Sequence, residues 1–224
     1  MHYEPAREPS GFPHSPFTSC CVPRPIGWIS TVSASGVRNI APFSQFQNVT
    51  WDPPTVLFCS CGTPQTDTYE NAVATGEFVW NMATYELRDT VARTAAPFPP
   101  DVDEFTELGI ETVPALRVAP PRVAASPVHF ECVVKQVVDI PGNVPEANTK
   151  IVIGEVLVIH IADDALTDDG RIDIPRLRPL ARLGYLDYTS VESAWEPRAR
   201  DLQTLHHHVE QPPEARILPE HDAP

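Results

Sequence analysis

Residues 149–162 read TKIVIGEVLVIHIA, a run of β-branched and apolar residues that is typical of a β-strand. At roughly 3.3 Å per residue, a straight strand of this length would extend over about 46 Å, which is unusual in an open sheet. Gly154, near the middle of the run, offers a place for a bulge or bend, which strands need when they curl. The segment therefore predicts a sheet that curves on itself.

Five other segments share this β-branched, aromatic or apolar character and are predicted strands: residues 26–33, 37–41, 55–61, 77–83 and 128–140. Pro141-Gly142-Asn143 is typical of a hairpin-like connection between the two longest strands. Helices are predicted to be short and to lie between strands, at residues 67–75, 86–95, 103–108 and 176–182. Long curved strands with few helices predict a mainly β protein with a closed or nearly closed barrel.

The composition limits the partners of the chain. A net charge of -14 and a pI near 4.8 argue against nucleic acid and anionic membrane surfaces. With no long apolar run, no apolar leader and only five cysteines in 224 residues, we expect a cytoplasmic protein without a membrane span or disulfide framework. Clustered prolines indicate an amino-terminal arm (1–19), a folded domain (20–190) and a Pro/His-rich tail (191–224).

Several short motifs follow one another in a definite order: PRPI (23–26), STV (30–32), NIAPFS (39–44), DPP (52–54), DT (67–68), TGEFV (75–79), IGEV (153–156) and RPLARLG (178–184). This ordered set resembles the flavin reductase-like family. The resemblance implies an FMN-binding split β-barrel, that is, a Greek-key antiparallel barrel with a few short peripheral helices. It also implies a homodimer, in which a second subunit covers the apolar flank of the split barrel.

FMN has a dianionic phosphate, a polyol and a flat ring with amide-like edges. A helix starting near Asp67 would direct free N–H groups and its dipole at the phosphate, and residues 41–48 suit a close backbone approach to the ring. Asp67 is expected to cap this helix, because its charge would repel the phosphate. The resemblance implies FMN contacts at Arg24, Thr31, Ser44, Asn48, Cys61, Thr66, Asp67 and Thr68.

Two positions depart from the family pattern. Many members have a lysine directly before the Asp-Thr pair, where this chain has Thr66, so one charge-assisted phosphate contact is missing. Arg24 is a candidate to replace that cation. Two-component flavin reductases often carry Gly-x-His just before the IGEV strand, where this chain reads Asn148-Thr149-Lys150. FMN binding is therefore better supported by the sequence than rapid reduction by NAD(P)H.

The resemblance implies an FMN-dependent, NAD(P)H:flavin reductase-like oxidoreductase, with hydride transfer from NAD(P)H to flavin N5 and a small-molecule acceptor or partner oxygenase. The cofactor performs this chemistry, so we predict no catalytic side chain and no metal ligand, and we interpret His206-His207-His208 as a solvated tail cluster. Two alternatives stay open. One is an FMN-binding electron carrier or flavin-holding protein without efficient NAD(P)H turnover, and the other is a barrel adapted to another ligand.

Overall fold

A computed structural model describes residues 2–5 and 10–195 of the chain. The helices and strands all belong to one compact unit, Met1–Ser193. The histidine cluster at 206–208 and most of the predicted tail lie outside the described residues. Among the described helices, none combines the length and apolar character needed to cross a bilayer.

The elements are short apart from two long strands. The strands of the described residues are β1 (Arg24–Pro25), β2 (Gly27–Val32), β3 (Arg38–Phe43), β4 (Phe46–Trp51), β5 (Pro54–Cys61), β6 (Glu77–Met82), β7 (Thr112–Val113), β8 (Arg122–Val123), β9 (Val128–Ile140), β10 (Thr149–Ile161), β11 (Leu180–Gly184) and β12 (Asp187–Ser190). The α-helices are α1 (Phe17–Cys20), α2 (Asp67–Thr75), α3 (Arg88–Arg93), α4 (Glu104–Leu108) and α5 (Ile174–Leu177). Single 3₁₀ turns lie at Tyr85–Leu87, Pro145–Ala147 and Asp163–Ala165.

Seven strands form one antiparallel sheet in the order β3-β2-β6-β9-β10-β5-β4. β3 and β4 follow each other in the chain with only Ser44 and Gln45 between them, yet they lie at opposite edges of the sheet. The sheet must therefore curl until its two edges meet at this connection, where Cys59 N also donates to Gln45 O at 3.0 Å. A smaller sheet, β1-β11-β12, lies beside it. The predicted split-barrel fold, mainly β with a few short helices, is confirmed.

The bend in β10 is the feature that the opening segment predicted. The pairing of β10 with β9 shifts register between Ile153 and Gly154 and again between Val156 and Val158. A Cβ at Gly154 would lie 2.4 Å from the ring of Phe78 and 3.3 Å from Cβ of Cys132. The missing side chain therefore lets the bulged strand pack directly on the aromatic core.

Both faces of the sheet are covered near β2. Ile29 belongs to a cluster with Phe58 and Phe78, which come from strands around the curled sheet. Its neighbour Trp28 belongs to a second cluster that includes residues of α3 and α4, such as Val91 and Phe105. Because successive side chains of a strand point to opposite faces, β2 is buried on both sides, and five of its six residues are buried.

One predicted helix is wrong. Residues 176–182 were expected to be helical, but α5 ends at Leu177 and residues 180–184 form β11. Pro179 has no N–H to continue a helix, and Arg178 before it adopts a left-handed conformation with φ of 50°. Leu180–Gly184 then pairs with β1 on one side and β12 on the other.

Candidate functional site

The start of α2 supplies backbone donors. Thr66 has an extended backbone and its hydroxyl accepts from Tyr69 N at 3.3 Å, so Thr66 is the cap of the helix. The expectation that Asp67 caps the helix is wrong by one position, because Asp67 already has helical geometry. The N–H groups of Asp67 and Thr68 lie in the first turn, where a helix has no internal acceptors, and can bind an anion.

A buried polar network joins α2 to β2 and β3. Thr68 is buried, and its hydroxyl lies 2.7 Å from the side-chain amide of Asn39 on β3. Asn71, one turn further along α2, donates to the hydroxyl of Thr31 on β2 at 3.3 Å. The structure therefore brings together Thr31 and Thr68, two of the predicted site residues, through asparagines that the sequence prediction did not include.

Thr66 is held from the other side of the helix start. Its hydroxyl lies 3.0 Å from that of Ser60, a fully buried residue near the end of β5. Cys61 follows at the exposed end of this strand, opposite Thr149, whose hydroxyl donates to its Sγ at 3.5 Å. The predicted contacts at Cys61 and Thr66 thus lie at the two ends of one turn.

The connection between β3 and β4 carries the next predicted residues. Ser44 is half-buried, while Asn48 is exposed on β4 opposite Val56. Asn48 also lines a cavity of about 310 Å³ with Pro25, Phe46 and Trp80 among its other residues. The rings of Phe46 and Trp80 are stacked there, with centroids 5.4 Å apart and planes 5° apart. This mostly apolar cavity has room for part of a flat ring.

Arg24, the predicted substitute for the missing phosphate cation, contacts backbone carbonyl groups near the amino-terminal end of the domain. Its guanidinium donates to the carbonyl oxygens of Thr18 and Cys21, which ties β1 to helix α1. In the small sheet Arg24 lies opposite Arg182. These contacts give Arg24 a structural role at the amino-terminal end of the domain.

Strand register reveals a cation that sequence reasoning missed. Lys150 on β10 lies opposite Ser60, so its side chain extends from the same face as the Ser60 hydroxyl that contacts Thr66. Its Nζ is 2.5 Å from Asp139, and this hydrogen bond raises the pKa of Lys150. The sequence around Lys150 shows only that the family's Gly-x-His is absent, whereas the strand register shows that the lysine lies beside the start of α2.

The donors and acceptors around α2 fit a phosphate-bearing polyol. Two first-turn N–H groups and the hydroxyls of Thr66 and Thr68 are suited to the phosphate. The side-chain oxygen of Gln65, in the turn before the helix, is buried and has no hydrogen-bond partner among the described residues. Such an acceptor suits a hydroxyl group of the ligand.

Fold and site together define a split-barrel protein with a candidate anion site at a helix start, next to Ser60 of β5, and an apolar cavity lined by Val56 of the same strand. Residues 18–185 match the family described as flavin reductase like domain, and the chain belongs to this family. This membership supports a flavin-related function and an oxidoreductase type of activity.

The chain is also similar to a sequence relative and to solved structures. An uncharacterized protein of Aquifex aeolicus (strain VF5) is 38% identical over 167 residues, which cover 73% of this chain and 82% of the relative. Nitrilotriacetate monooxygenase component B from Bacillus cereus has a similar structure, with a TM-score of 0.81, 26% identity and coverage of 88% and 98% of the two chains. The flavoredoxin of Desulfovibrio vulgaris (Miyazaki F) shares the fold, with a TM-score of 0.70, 20% identity and coverage of 80% and 92%.

Proposed function

We propose that this chain binds FMN and acts as an NAD(P)H:flavin reductase-like oxidoreductase. The observation that carries the proposal is the network formed by the buried Thr31, Asn39 and Thr68 with the half-buried Asn71, which fixes the start of α2 against β2 and β3. β3 leads directly into the turn at Ser44, so the predicted phosphate and ring sites are attached to one strand. The family match and the likeness to a monooxygenase component B support the same function.

Each part of the site has a separate task in this proposal. The N–H groups of Asp67 and Thr68, with the hydroxyls of Thr66 and Thr68, hold the phosphate. The backbone of residues 41–48 positions the ring edge, and the aromatic cavity beside Asn48 excludes water from it. When bound, FMN supplies the capacity to accept a hydride from NAD(P)H at its N5 atom. Electrons are proposed to pass to a small-molecule acceptor or a partner oxygenase, in the cytoplasm.

Rapid mixing of the FMN-loaded protein with NADH or NADPH, without oxygen, tests the reductase activity. For a reductase, the absorbance of oxidised flavin should decrease rapidly after mixing with NADH or NADPH. Absence of bleaching at millimolar donor, from protein that demonstrably holds FMN, would contradict it.

An FMN-binding electron carrier is the second candidate. It is favoured by Asn148-Thr149-Lys150, because two-component flavin reductases often have Gly-x-His at this place. Lys150 is paired with Asp139, and a lysine side chain in any case has no imidazole to place against a nicotinamide. A carrier would retain FMN, resist NAD(P)H, and pass electrons to an acceptor after chemical reduction.

We also propose that the chain forms a homodimer through β10. β5 pairs with β10 only as far as Glu155, so no described strand pairs with this side of residues 156–161. The same segment exposes Leu157, Ile159 and Ile161, with Ile159 51% exposed. An unpaired strand edge with a row of apolar side chains favours coverage by a second subunit.

Ile159→Asp tests the dimer. Because the Ile159 side chain extends outward, the change should leave the fold intact and shift the mass in sedimentation equilibrium from dimer to monomer. Gln136→Asp, at an exposed position of neighbouring strand β9, is the control and should remain dimeric. A wild-type protein that sediments as a monomer would contradict the proposal.

A further inference from the structure

A buried carboxyl group touches the polar network at the start of α2. Glu104 on α4 is 5% exposed, and its Oε2 accepts from Ile40 N at 2.9 Å. The Asn39 side-chain amide lies between this carboxyl group and Thr68. One polar atom of the amide is 3.0 Å from Glu104 Oε1, and the other is 2.7 Å from Thr68 Oγ1. Glu104, Asn39 and Thr68 therefore form a continuous hydrogen-bonded chain.

The charge of Glu104 determines the direction of the hydrogen bonds in this chain. An ionised carboxylate can only accept, so it requires the NH₂ group of Asn39. The amide oxygen then faces Thr68, and the Thr68 hydroxyl must donate its proton to Asn39. In this state the hydroxyl has no proton left for a phosphate.

A protonated Glu104 reverses the chain. Its O–H donates to the oxygen of Asn39, so the NH₂ group turns toward Thr68 and Thr31, at 2.7 Å and 3.4 Å. The Thr68 hydroxyl now accepts from Asn39 and is free to donate to another group. The distances from Asn39 to Glu104 and Thr68 fit both directions, because a half-turn of the amide exchanges the positions of its oxygen and nitrogen. Ile40 N, 3.2 Å from the end that faces Thr68, favours the orientation with the oxygen there.

The surroundings of Glu104 make both states accessible near neutral pH. Burial raises the pKa of Glu104 to about 7, the Ile40 N–H opposes that rise, and the nearby Asp67 and Asp103 add to it. The one cation beside this acidic group among the described contacts is Arg38, which is bound to Asp103 at 2.7 Å.

We propose that Glu104 is a positioning residue that, through Asn39, sets whether the Thr68 hydroxyl donates to a phosphate at the start of α2. The inference rests on the proposed FMN site and adds pH control to it. FMN binds more tightly when Glu104 is protonated, because Thr68 then contributes a charge-assisted hydrogen bond to the phosphate.

Glu104→Gln separates the two states. Glutamine can accept from Ile40 N with its oxygen and donate to Asn39 with its NH₂, and so it stands in for the protonated acid. FMN dissociation constants are measured by flavin fluorescence at about pH 6 and about pH 8.5. The wild type should bind roughly tenfold more weakly at the higher pH, whereas E104Q should keep the tighter binding. E107Q removes an exposed charge from the same helix and should behave as the wild type.

Thr68→Val distinguishes the hydrogen-bond chain from simple repulsion between Glu104 and phosphate. If the hydrogen-bond chain transmits the effect, E104Q should no longer change the affinity for FMN when it is combined with T68V, because the transmitting hydroxyl is gone. If E104Q still changes that affinity in the T68V background, or if wild type and E104Q show the same pH profile, the inference is overturned. Titration of FMN's own phosphate affects every variant equally.

A measurement on the wild type alone tests the inference even if a variant fails to fold. In the protein without FMN, the side-chain NH₂ resonances of Asn39 should shift with the titration of Glu104. Resonances that stay constant across neutral pH would overturn the inference even if FMN binds. Failure of the wild type to bind FMN at either pH would instead overturn the proposed function, and the inference with it.

Discussion

Glu131 shows how a single buried carboxylate holds a loop in place. The residue is fully buried on β9 and accepts from Leu116 N at 2.8 Å, from Arg117 N at 2.7 Å and from His160 Nε2 at 2.5 Å. Burial alone would raise the pKa of Glu131, but the hydrogen bonds from Leu116, His160 and Arg117 lower it. The loop before β8 is thus bound to the sheet by one side chain.

Glu131→Gln should lower the free energy of unfolding by about 3 kcal/mol. The amide keeps one accepting oxygen but places an NH₂ group against a buried backbone N–H. Urea unfolding at neutral pH measures the change, and Glu77→Gln, which affects a single backbone contact from Ala119 N, is the milder comparison. Equal stability of E131Q and wild type would contradict this role.

His129 makes the free energy of unfolding depend on pH. The side chain is buried, its Nε2 lies 2.9 Å from Val123 O, and burial lowers the pKa of His129 to about 4. The unfolded chain therefore binds a proton between roughly pH 6.5 and pH 4 that the folded protein does not.

Stability should consequently fall as the pH decreases through this window, by at most about 1.4 kcal/mol per pH unit from this group. His129→Gln keeps a donor for Val123 O but cannot titrate, so urea unfolding curves of H129Q should depend less steeply on pH. Parallel pH profiles of variant and wild type would show that His129 is not responsible.

At the scale of elements, β10 is the strand whose packing depends most visibly on one residue. Gly154 to Ala should cost about 1–3 kcal/mol of stability, and Gly154 to Val more, because each added carbon meets the Phe78 ring. Thermal or urea unfolding gives the order Gly, Ala, Val. A valine variant as stable as the wild type would mean that the bulge leaves more room than the structure shows.

The sequence predicted the buried elements well. The predicted strand 128–140 matches β9 at both ends, and β10 ends one residue earlier than expected. β4 was not predicted as a strand, because five of its six residues are exposed and give no burial pattern. Pairing with β5 imposes its extended conformation, and such tertiary pairing is not visible in a local pattern.

The candidate site divides in the same way. Motifs located Thr31, Thr66 and Thr68, but Asn39 was quoted only as part of a motif and was given no role. Lys150 and Glu104 reach the start of α2 through strand register and through the docking of α4 on β3. The spacing of residues along the chain shows neither the strand register nor the docking of α4, so these two residues could be found only from the structure.

For the whole molecule, the curled sheet is the feature on which the proposed FMN site depends. The two edge strands β3 and β4 meet at Ser44 and Gln45, while α2 packs against β2, β3 and β6 with Ala72 in the core. A ligand at the start of α2 and along residues 41–48 would therefore use both edges of one sheet.

Comparison of FMN with riboflavin tests this account most directly, because the two ligands differ only in the phosphate. Calorimetric titration of the protein freed of flavin should show one FMN per chain, bound at least tenfold more tightly than riboflavin. Equal affinity for the two ligands would contradict the proposal that the start of α2 binds the phosphate. A protein that takes up neither would contradict the flavin site altogether.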